Sequence, residues 1–287
     1  MQPYTVLLFY SYQTIAAPEE AAAWLRSLAE KFELKGRAIV AKEGINVTFE
    51  GTTAHTEAFV QDFHARTEFG NVQIKKSTSA GNSFPKLSVK VRDEIVGTKF
   101  PKEVDPRVTT APRLSAEELK AWYQNNKEFV VVDMRNNYEF ASGHFKNAIQ
   151  PNIESSRELP EKIQQLEPLK DKTVLTVCTG GVRCEKMSAY LLHEGFSDVY
   201  QLDGGIHTYM EKYPGEDFLG TLYTFDNRLV MDFGGEREVV GECRFCKSKT
   251  ERYVNCANVN CHYHFLVCTG CVPQSSDAYC KAECQRV

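Results

Sequence analysis

Cysteine is the residue of this 287-residue chain whose placement points most directly to chemistry. The ten cysteines are unevenly distributed: none precedes Cys178, a second lies at Cys184, and the other eight lie from Cys243 to Cys284. In a reducing compartment, closely spaced cysteines are more often reactive thiols or metal ligands than disulfides. The distribution therefore predicts two sites, a reactive thiol at Cys178 and a metal-binding tail.

Cys178 follows the apolar segment TVLTV, which predicts a buried strand, and a helix is predicted from Glu185 onward. Ligands of open α/β sheets bind beyond the carboxyl ends of strands, where this cysteine lies. Two glycines let the backbone N–H groups turn inward, and an arginine and the helix dipole add positive potential that stabilises a thiolate. We therefore predict that Cys178 is the nucleophile and that an anion cradle surrounds it, formed by Thr179, Gly180, Gly181, Val182 and Arg183.

A cysteine that ends a buried strand is often only a small apolar residue, and this structural interpretation is the alternative for Cys178. The C-x4-R spacing from Cys178 to Arg183, the paired glycines and the following helix together favour the functional interpretation. Cys184 lies at the start of this helix, where it is a candidate resolving thiol for an oxidised Cys178.

The C-terminal tail contains four short-spaced cysteine pairs, each able to supply two sulfur ligands to one metal ion. The pairs are Cys243 and Cys246, Cys256 and Cys261, Cys268 and Cys271, and Cys280 and Cys284. Eight thiolates satisfy two structural zinc ions, and we predict an interleaved arrangement that joins the first pair to the third and the second to the fourth. His262 and His264 are then bystanders. Disulfides and an iron–sulfur cluster are the alternatives, and the lack of an export signal argues against disulfides.

Strand and helix patterns alternate from residue 4 to about 95 in the order βαββαβ. The segments YTVLLFYSY, GRAIVAKEG, INVTFEG and KLSVKVRDEIV predict four strands, and two amphipathic segments, the first opened by Pro18, predict the helices. This order predicts an α+β domain over residues 1–95 that is ferredoxin-like (acylphosphatase-like), with a four-stranded antiparallel sheet and two helices on one face. Prolines and a lack of periodicity in residues 96–112 predict a linker.

Residues 113–217 predict an α/β domain. The continuous apolar strands EFVVVD and TVLTVC alternate with helices, of which the first has a capping box from Ser115 to Glu118 and another ends at Gly195. Such strands predict a parallel sheet covered by helices on both faces. Residues 218–287 are too poor in apolar periodicity for a conventional core, so this cysteine-rich region is expected to depend on its zinc ions.

Three segments of residues 113–217 resemble the rhodanese domain. That family's D-x-R segment followed by Gly-His is similar to VVVDMRNNYEFASGHFKNA, and its active loop is similar to CTGGVRC. Its L-x-G-G signature is similar to LDGGIHTY, with Tyr209 in place of the usual tryptophan. With AKEGIN before them and RYVNCAN after them, the chain resembles the rhodanese-domain tRNA uridine hydroxylases over nearly its whole length. That resemblance implies oxygen-dependent formation of 5-hydroxyuridine at the wobble position of tRNA, with Cys178 as the essential cysteine.

Other polar residues in the rhodanese-like segments have a structural interpretation. Asp133 and Arg135 follow another predicted strand and are expected to organise the loops by hydrogen bonds. His144 is expected to be an anchored imidazole. Tyr209 keeps an aromatic ring in the core, so its substitution for tryptophan changes no prediction.

A basic strand face in the first domain is the candidate RNA-binding surface. The net charge of −4 gives no general attraction to phosphate, so tRNA binding requires a local basic face. Lys75, Lys76, Lys86, Lys90 and Arg92 surround and enter the last predicted strand, and alternation places the last three on one face. We predict that Lys86, Lys90 and Arg92 bind phosphates of the tRNA anticodon loop. A solvated strand face is the alternative.

Three functions from different classes fit these observations. The first is a tRNA-modifying oxidoreductase that uses molecular oxygen, and the second is a sulfurtransferase that carries a persulfide on Cys178; the loop chemistry suits both. The third is a zinc-stabilised RNA- or protein-binding module with a vestigial rhodanese domain, and the intact Cys178 argues against it. No flavin motif, haem-ligand pattern or facial triad is evident, so the sequence implies no organic cofactor and does not identify the electron donor.

The composition is that of a multidomain globular protein. Hydrophobic residues make up 42% of the chain and charged residues 25%, which excludes disordered, collagen-like and coiled-coil classes. The length of 287 residues predicts about two or three compact units. No stretch approaches the roughly 18 apolar residues of a membrane span, and the N-terminus has no basic leader or cleavage site. We therefore expect a cytoplasmic protein that does not enter membranes.

Overall fold

The computed structural model describes residues 3–101, 103–261, 263–274 and 276–285, which form two compact units. The first unit is made of Met1–Thr110, Glu185–His193 and Asp226–Arg228, and the second of Ala111–Cys184, Glu194–Phe225 and Leu229–Val287. No helix among the described residues combines the length and the apolar character that crossing a membrane requires.

A five-stranded sheet with two helices forms most of the first unit. Its strands are β1 (Tyr4–Tyr12), β2 (Lys35–Ala41), β3 (Gly44–Thr52), β4 (Lys75–Ser79) and β5 (Leu87–Val91), and its helices are α1 (Pro18–Lys31) and α2 (Thr53–Ala65). The strands lie in the order β4, β1, β3, β2, β5. The first four pair antiparallel in the ferredoxin-like order, which confirms the predicted fold of this domain.

The predicted assignment of the fourth strand was wrong. β4 is the fourth strand and pairs antiparallel with β1, whereas KLSVKV forms β5, which pairs parallel with β2 at the opposite edge. The sheet is therefore mixed rather than wholly antiparallel. Sequence analysis missed β4 because its sequence, KKSTS, contains no apolar residue, and an edge strand can do without the apolar alternation that marks a half-buried one.

Aromatic side chains fill the space between this sheet and its helices. Phe49 of β3 meets Phe59 of α2 edge-on at 5.6 Å, and Trp24 of α1 stacks on Phe63 of α2 at 5.8 Å. Pro18 lies in the first turn of α1, as predicted, because proline lacks the N–H that this position leaves unpaired. The apolar core thus lies on one face of the sheet.

The segment predicted as a linker, residues 96–112, contains no helix or strand among its described residues. Thr98 and Val104 are nevertheless buried in this segment. The Thr98 N–H and hydroxyl donate to the Glu94 carboxylate at 2.9 and 3.0 Å. The part of the segment around Thr98 is therefore packed within the first unit rather than extended into solvent.

A four-stranded parallel sheet in the order β6, β10, β9, β7 lies at the centre of the second unit, which confirms the predicted parallel sheet. The strands in this part of the chain are β6 (Arg113–Leu114), β7 (Val130–Asp133), β8 (Gly143–Phe145), β9 (Thr173–Val177) and β10 (Asp198–Leu202). The helices are α3 (Ala116–Gln124), α4 (Asn137–Ser142), α5 (Leu159–Lys162), α6 (Val182–His193) and α7 (Gly205–Lys212). Ser115 and Glu118 form the predicted capping box of α3.

Short antiparallel pairs make up the C-terminal region. These pairs are β11 (Phe218–Gly220) with β8, β12 (Leu222–Tyr223) with β13 (Val230–Met231), and β14 (Tyr253–Asn255) with β15 (His264–Leu266). The buried cluster around the last pair consists largely of cysteines together with Phe265, Val267 and Ala278. Cysteine side chains therefore occupy positions that apolar residues fill in a conventional core.

Candidate active site and metal centres

Cys178 follows the last residue of β9, and the backbone then curls through Gly180 and Gly181 into α6. Gly181 has a φ of 100°, in the left-handed region that favours glycine, and its N–H donates to Cys178 Sγ at 3.2 Å. α6 begins at Val182 rather than at Glu185, so its first turn belongs to the loop. The positive end of the helix dipole therefore lies beside the thiol.

The start of α7 holds the loop from the other side. The N–H groups of Ile206 and His207 donate to the carbonyl oxygens of Cys178 and Thr179 at 2.9 and 3.0 Å. Gly205 has a φ of 68°, and a Cβ at this position would lie 2.5 Å from Cys178 O. The second glycine of LDGGIHTY is therefore required where α7 approaches the loop backbone.

Glu139 contacts the Cys178 loop, and the sequence did not indicate it. Its carboxylate accepts two hydrogen bonds from the Arg183 guanidinium at 2.6 and 2.8 Å, one from the Thr179 hydroxyl at 3.3 Å and one from the Asn136 N–H at 3.0 Å. Arg183 also donates to Thr179 Oγ1 at 3.1 Å. Two side chains of the predicted cradle are thus bound to Glu139. The guanidinium also lies 5.5 Å from the centre of the Phe225 ring, another residue that the sequence did not indicate.

The surroundings of Cys178 favour a thiolate. Burial raises the pKa of this thiol, but hydrogen bonds from Cys184, the charge of Arg183 and the Gly181 N–H outweigh it and lower the pKa to about 6. Burial and the nearby Cys178 sulfur raise the pKa of Cys184 well above its usual value. At neutral pH the pair therefore consists of a Cys178 thiolate and a protonated Cys184, which matches a nucleophile beside a candidate resolving thiol.

Cys178 is 0% exposed, although it ends a strand at the ligand-binding edge of the sheet. Gly180 and Gly181 of the loop are also buried, and Thr179 and Val182 are half-buried. A substrate larger than a few atoms therefore reaches Cys178 Sγ only if the loop, or the residues packed over it, move.

The other polar residues of the rhodanese-like segments are held by structural contacts. Arg135 and Asp133 form a fully buried ion pair at 2.6 Å, and Arg135 also donates to Gly143 O at 2.6 Å. His144 stacks on Phe140 with ring centres 4.2 Å apart. Tyr209 is fully buried and donates to Asp217 at 2.5 Å. These contacts anchor the loops around the sheet.

The eight cysteines of the tail form two groups with the membership that the interleaved arrangement predicts. The groups are Cys243, Cys246, Cys268 and Cys271, and Cys256, Cys261, Cys280 and Cys284; within each, the sulfur atoms lie within 4.8 Å of one another. All ten cysteines of the chain are free thiols. His264 belongs to neither group, and its Nδ1 lies 2.8 Å from Asn255 Oδ1. His262 lies outside the described residues.

Both groups have the spacing that a tetrahedral metal ion requires. Zn–S bonds of about 2.3 Å at tetrahedral angles separate the sulfurs by about 3.8 Å. The sulfur contacts are 3.5 Å in the first group and 3.6 Å in the second. Cysteine binds a metal ion as a thiolate, so metal binding would displace the protons of these thiols. Each group can therefore hold one metal ion.

The three predicted RNA-binding residues, Lys86, Lys90 and Arg92, are exposed in and beside β5. The parallel register with β2 places Arg37 opposite Ser88, on the face that alternation gives to Lys86 and Lys90. Arg37 is also exposed. The neighbouring strand β2, which the predicted RNA-binding face did not include, thus adds a positive charge. The β2–β5 basic surface consists of Arg37, Lys86, Lys90 and Arg92.

Lys75 and Lys76 do not belong to the β2–β5 basic surface, although the sequence groups them with it. They begin β4, and three strands separate β4 from β5. At about 4.8 Å per strand this places them about 19 Å from β5. The prediction that these lysines surround the same strand was wrong, because β4 and β5 are opposite edges of the sheet.

Known families match most of the chain. Residues 4–95 match the family described as UPF0176 acylphosphatase like domain, residues 115–212 the Rhodanese-like domain, and residues 219–285 the Rhodanase C-terminal family. The order of these matches follows the order of the three predicted domains.

Curated relatives are similar to the chain over nearly its whole length. A tRNA uridine(34) hydroxylase of Bacillus cytotoxicus is 41% identical over 291 residues, which cover 99% of this chain and 88% of the relative. A tRNA uridine(34) hydroxylase of Staphylococcus aureus is 42% identical over 268 residues, which cover 92% of this chain and 84% of the relative. A solved rhodanese-like domain protein of Staphylococcus aureus is 30% identical, covers 34% of this chain and 90% of its own, and has a TM-score of 0.30.

Proposed function

This chain belongs to the tRNA uridine(34) hydroxylase family, and from that premise we propose that it converts the wobble uridine of tRNA to 5-hydroxyuridine, with Cys178 as the reactive thiol. The observation that carries the proposal is the Cys178 loop, in which a strand end, the Gly181 N–H and the first turn of α6 favour a thiolate at neutral pH. A thiolate is the form in which cysteine attacks an electrophilic carbon. The reaction takes place in the cytoplasm, where tRNA is available.

Hydroxylation at C5 of uracil requires electron density at that carbon. Addition of the Cys178 thiolate to C6 forms a C–S bond and moves the C5–C6 π pair into an enolate, which makes C5 nucleophilic. C5 then bonds to one oxygen atom of O2, and loss of the C5 proton with expulsion of Sγ restores the double bond. The second oxygen atom leaves as water, which takes two protons and two electrons from an external two-electron donor.

The full burial of Cys178 favours a second route as well. A uracil ring reaches Sγ only after the nucleotide is splayed out and the cover of the sulfur moves, whereas small oxidants and sulfur donors need less space. In this route Cys178 carries oxygen as a sulfenate, or sulfur as a persulfide, and forms no bond to the base. The sulfenate forms from the thiolate and O2, while the external donor supplies the two electrons and two protons that turn the second oxygen atom into water. Transfer of the sulfenate oxygen to C5 of uracil, with loss of the C5 proton, returns Cys178 as the thiol. A sulfenate that meets no base would be resolved by Cys184, which forms a disulfide and releases water, and an external dithiol would then reduce the disulfide. A persulfide without hydroxylation would make the protein a sulfurtransferase.

The partner that we propose is the anticodon loop of tRNA, with its phosphates on the β2–β5 basic surface. Arg37, Lys86, Lys90 and Arg92 contribute four exposed positive charges to two adjacent strands. Such local charge attracts a polyanion even though the whole chain carries −4. For the tail we propose two structural zinc ions, one in each cysteine group, because four thiolates at these distances match zinc. The residues that would hold the ions do not overlap with the Cys178 loop.

The proposed function is tested by mass spectrometry of tRNA nucleosides from cells that lack this protein, complemented with the wild type or with Cys178→Ala. We expect 5-hydroxyuridine only with the wild type, and a mass increase of about 2 Da in it when the cells grow under 18O2. Unchanged 5-hydroxyuridine without the protein contradicts the proposal. A tRNA with 5-fluorouridine at the wobble position separates the two routes, because only attack at C6 gives a covalent adduct that Cys178→Ala lacks.

A further inference from the structure

The β14–β15 hairpin of the tail connects the two cysteine groups. Cys256 follows β14 directly and belongs to one group, whereas Cys268 lies two residues after β15 and belongs to the other. A metal ion in each group would therefore fix the two ends of the hairpin. The proposed reaction uses no residue of this hairpin, so its role is not explained by the chemistry at Cys178.

One face of the hairpin packs on an aromatic cluster formed by Tyr138, Tyr223, Tyr253 and His264. Tyr253 of β14 and His264 of β15 stack with ring centres 4.8 Å apart and planes 4° from parallel. Tyr138 meets His264 edge-on at 5.5 Å, and Tyr223 meets Tyr253 edge-on at 5.1 Å. The Tyr253 hydroxyl also donates to the backbone oxygen of Tyr138. The hairpin is thus tied to Tyr138 by a directional bond as well as by ring contacts.

Tyr138 lies in α4, immediately before Glu139. α4 has six residues, and a helix of this length is not stable on its own in water, so its orientation depends on its contacts. Besides Tyr253, these contacts include the Asn137 N–H bond to Ile153 O at 2.8 Å. Because Glu139 binds Thr179 and Arg183, the first and last residues of the cradle around Cys178, a rotation of α4 would move both sets of hydrogen bonds.

We infer that Tyr253 is a positioning residue for the Cys178 loop: its hydroxyl fixes α4 at Tyr138, and α4 in turn holds the loop through Glu139. Tyr253 is 6% exposed and touches none of the reacting atoms, so it acts only through these intermediates. The cysteine-rich tail is then part of the support of the active site. The inference deepens the proposed function, because it concerns the same thiol, but it makes a statement about Cys178 that does not require tRNA to be the substrate.

The test is the pH dependence of Cys178 alkylation in Tyr253→Phe, which removes the hydroxyl and keeps the ring. The full-length protein is treated with iodoacetamide between pH 5 and 9, and mass spectrometry of the Cys178 peptide separates this thiol from the other nine. One hydrogen bond changes an equilibrium by a factor of about two to ten, which corresponds to a shift of about 0.3 to 1 pH unit. We expect the midpoint for Cys178 to rise by this amount, because the loop donors are less well aligned.

Tyr263→Phe is the matched control, since it removes a hydroxyl from the same region of the tail. The Tyr263 ring packs on Phe265 at 6.2 Å and under Arg244 at 5.1 Å rather than in the aromatic cluster. Metal content and far-ultraviolet circular dichroism of both variants establish that the tail is folded. Hydrogen exchange should become faster in residues 137–142 of Tyr253→Phe and stay unchanged in the control.

A midpoint that stays where it is in Tyr253→Phe, moves downward, or moves equally in Tyr263→Phe overturns the inference. The role of Glu139 in linking α4 to the Cys178 loop is tested in Glu139→Gln. Adding Tyr253→Phe to this variant should not shift the Cys178 midpoint further, because the link between α4 and the loop is already broken. If Tyr253→Phe still shifts the Cys178 midpoint fully in the Glu139→Gln variant, Tyr253 acts without Glu139, and the inference is overturned. If the wild type makes no 5-hydroxyuridine, the proposed function fails, while these alkylation results still decide the role of Tyr253.

Discussion

Gly205→Ala should disable the Cys178 loop, and Gly195→Ala is its matched control. Both glycines have a left-handed backbone, with φ of 68° and 87°. A Cβ at Gly205 would lie 2.5 Å from Cys178 O and 2.7 Å from Gly181 N, whereas a Cβ at Gly195 has no atom within 4 Å. The two substitutions therefore share the backbone strain and differ in the collision with the loop.

The strain of a left-handed alanine costs about 1–2 kcal/mol, and this is the expected loss of unfolding free energy in Gly195→Ala. In Gly205→Ala the colliding atoms are backbone, so the loop or α7 must move by about 1 Å to reach ordinary contact. That movement weakens the Ile206 and His207 hydrogen bonds to the loop, at about 1 kcal/mol each, which brings the expected loss to about 3–4 kcal/mol. A displacement of about 1 Å at a reacting group lowers the rate by about 100-fold.

Urea denaturation measures the two stabilities, and the yield of 5-hydroxyuridine together with Cys178 alkylation measures the loop. We expect Gly195→Ala to keep activity within about threefold of the wild type, since its strain lies away from the loop, and Gly205→Ala to lose about 100-fold while still folded. Equal activity in the two folded variants would refute the argument, because it would mean that the contact between Gly205 and the loop does not position Cys178.

Cys178→Ala should abolish hydroxylation and remain folded, because alanine fills most of the volume, whereas Cys184→Ala should keep part of the activity; equal losses in a nucleoside assay would mean that the nucleophile is misassigned. The pKa of Cys178 is lowered to about 6, so the thiolate is present above that pH and alkylation of this thiol should fall as the pH drops through 6; a rate that does not change between pH 8 and 5 contradicts a thiolate. Elemental analysis of protein purified under reducing conditions without chelators should find about two zinc ions per chain, and a metal-free, folded protein contradicts the structural role of the tail cysteines. Lys90→Glu should weaken tRNA binding more than Lys76→Glu on the opposite edge of the same sheet and should lower the slope of log K against log salt by about 0.7 per lost phosphate contact; equal effects would remove the β2–β5 basic surface from the proposal.

The fold was predictable where local sequence patterns follow burial. β1 has the bounds of YTVLLFYSY, because this run of largely apolar and aromatic residues contains no exposed position. The parallel sheet of the second unit was predictable for the same reason, since β7 and β9 are continuous apolar segments. β4 was not predictable in this way, because its position is set by pairing with β1 and not by apolar residues of its own. Because β4 was not predicted, KLSVKV was predicted as the fourth strand although it forms the fifth.

The candidate site was predictable only in part, because the sequence pattern indicates the Cys178 loop but not the residues that contact and position it. The order of Cys178, two glycines and Arg183 indicates a thiolate loop by itself. Glu139 was available only as an indirect signal, the capping pattern from Asn136 to Glu139, which also occurs in helices that bind nothing. The contact between Gly205 and the loop brings together distant parts of the chain, so only the structure reveals it.

The structure also changes the explanation of why Cys178 ionises. The sequence attributes the effect to inward N–H groups, Arg183 and the helix dipole together, but the two terminal nitrogens of the Arg183 guanidinium donate to the Glu139 carboxylate, which offsets part of its charge. Asp133 and Arg135 form a second buried ion pair, and the two pairs together contribute no net positive charge. The negative charge on sulfur is therefore stabilised by the hydrogen bonds from Cys184 and the Gly181 N–H as well as by the charge of Arg183. Dipoles stabilise a charge only while they point at it, and this is why the supports of the loop, rather than its charges alone, determine the reactivity of Cys178.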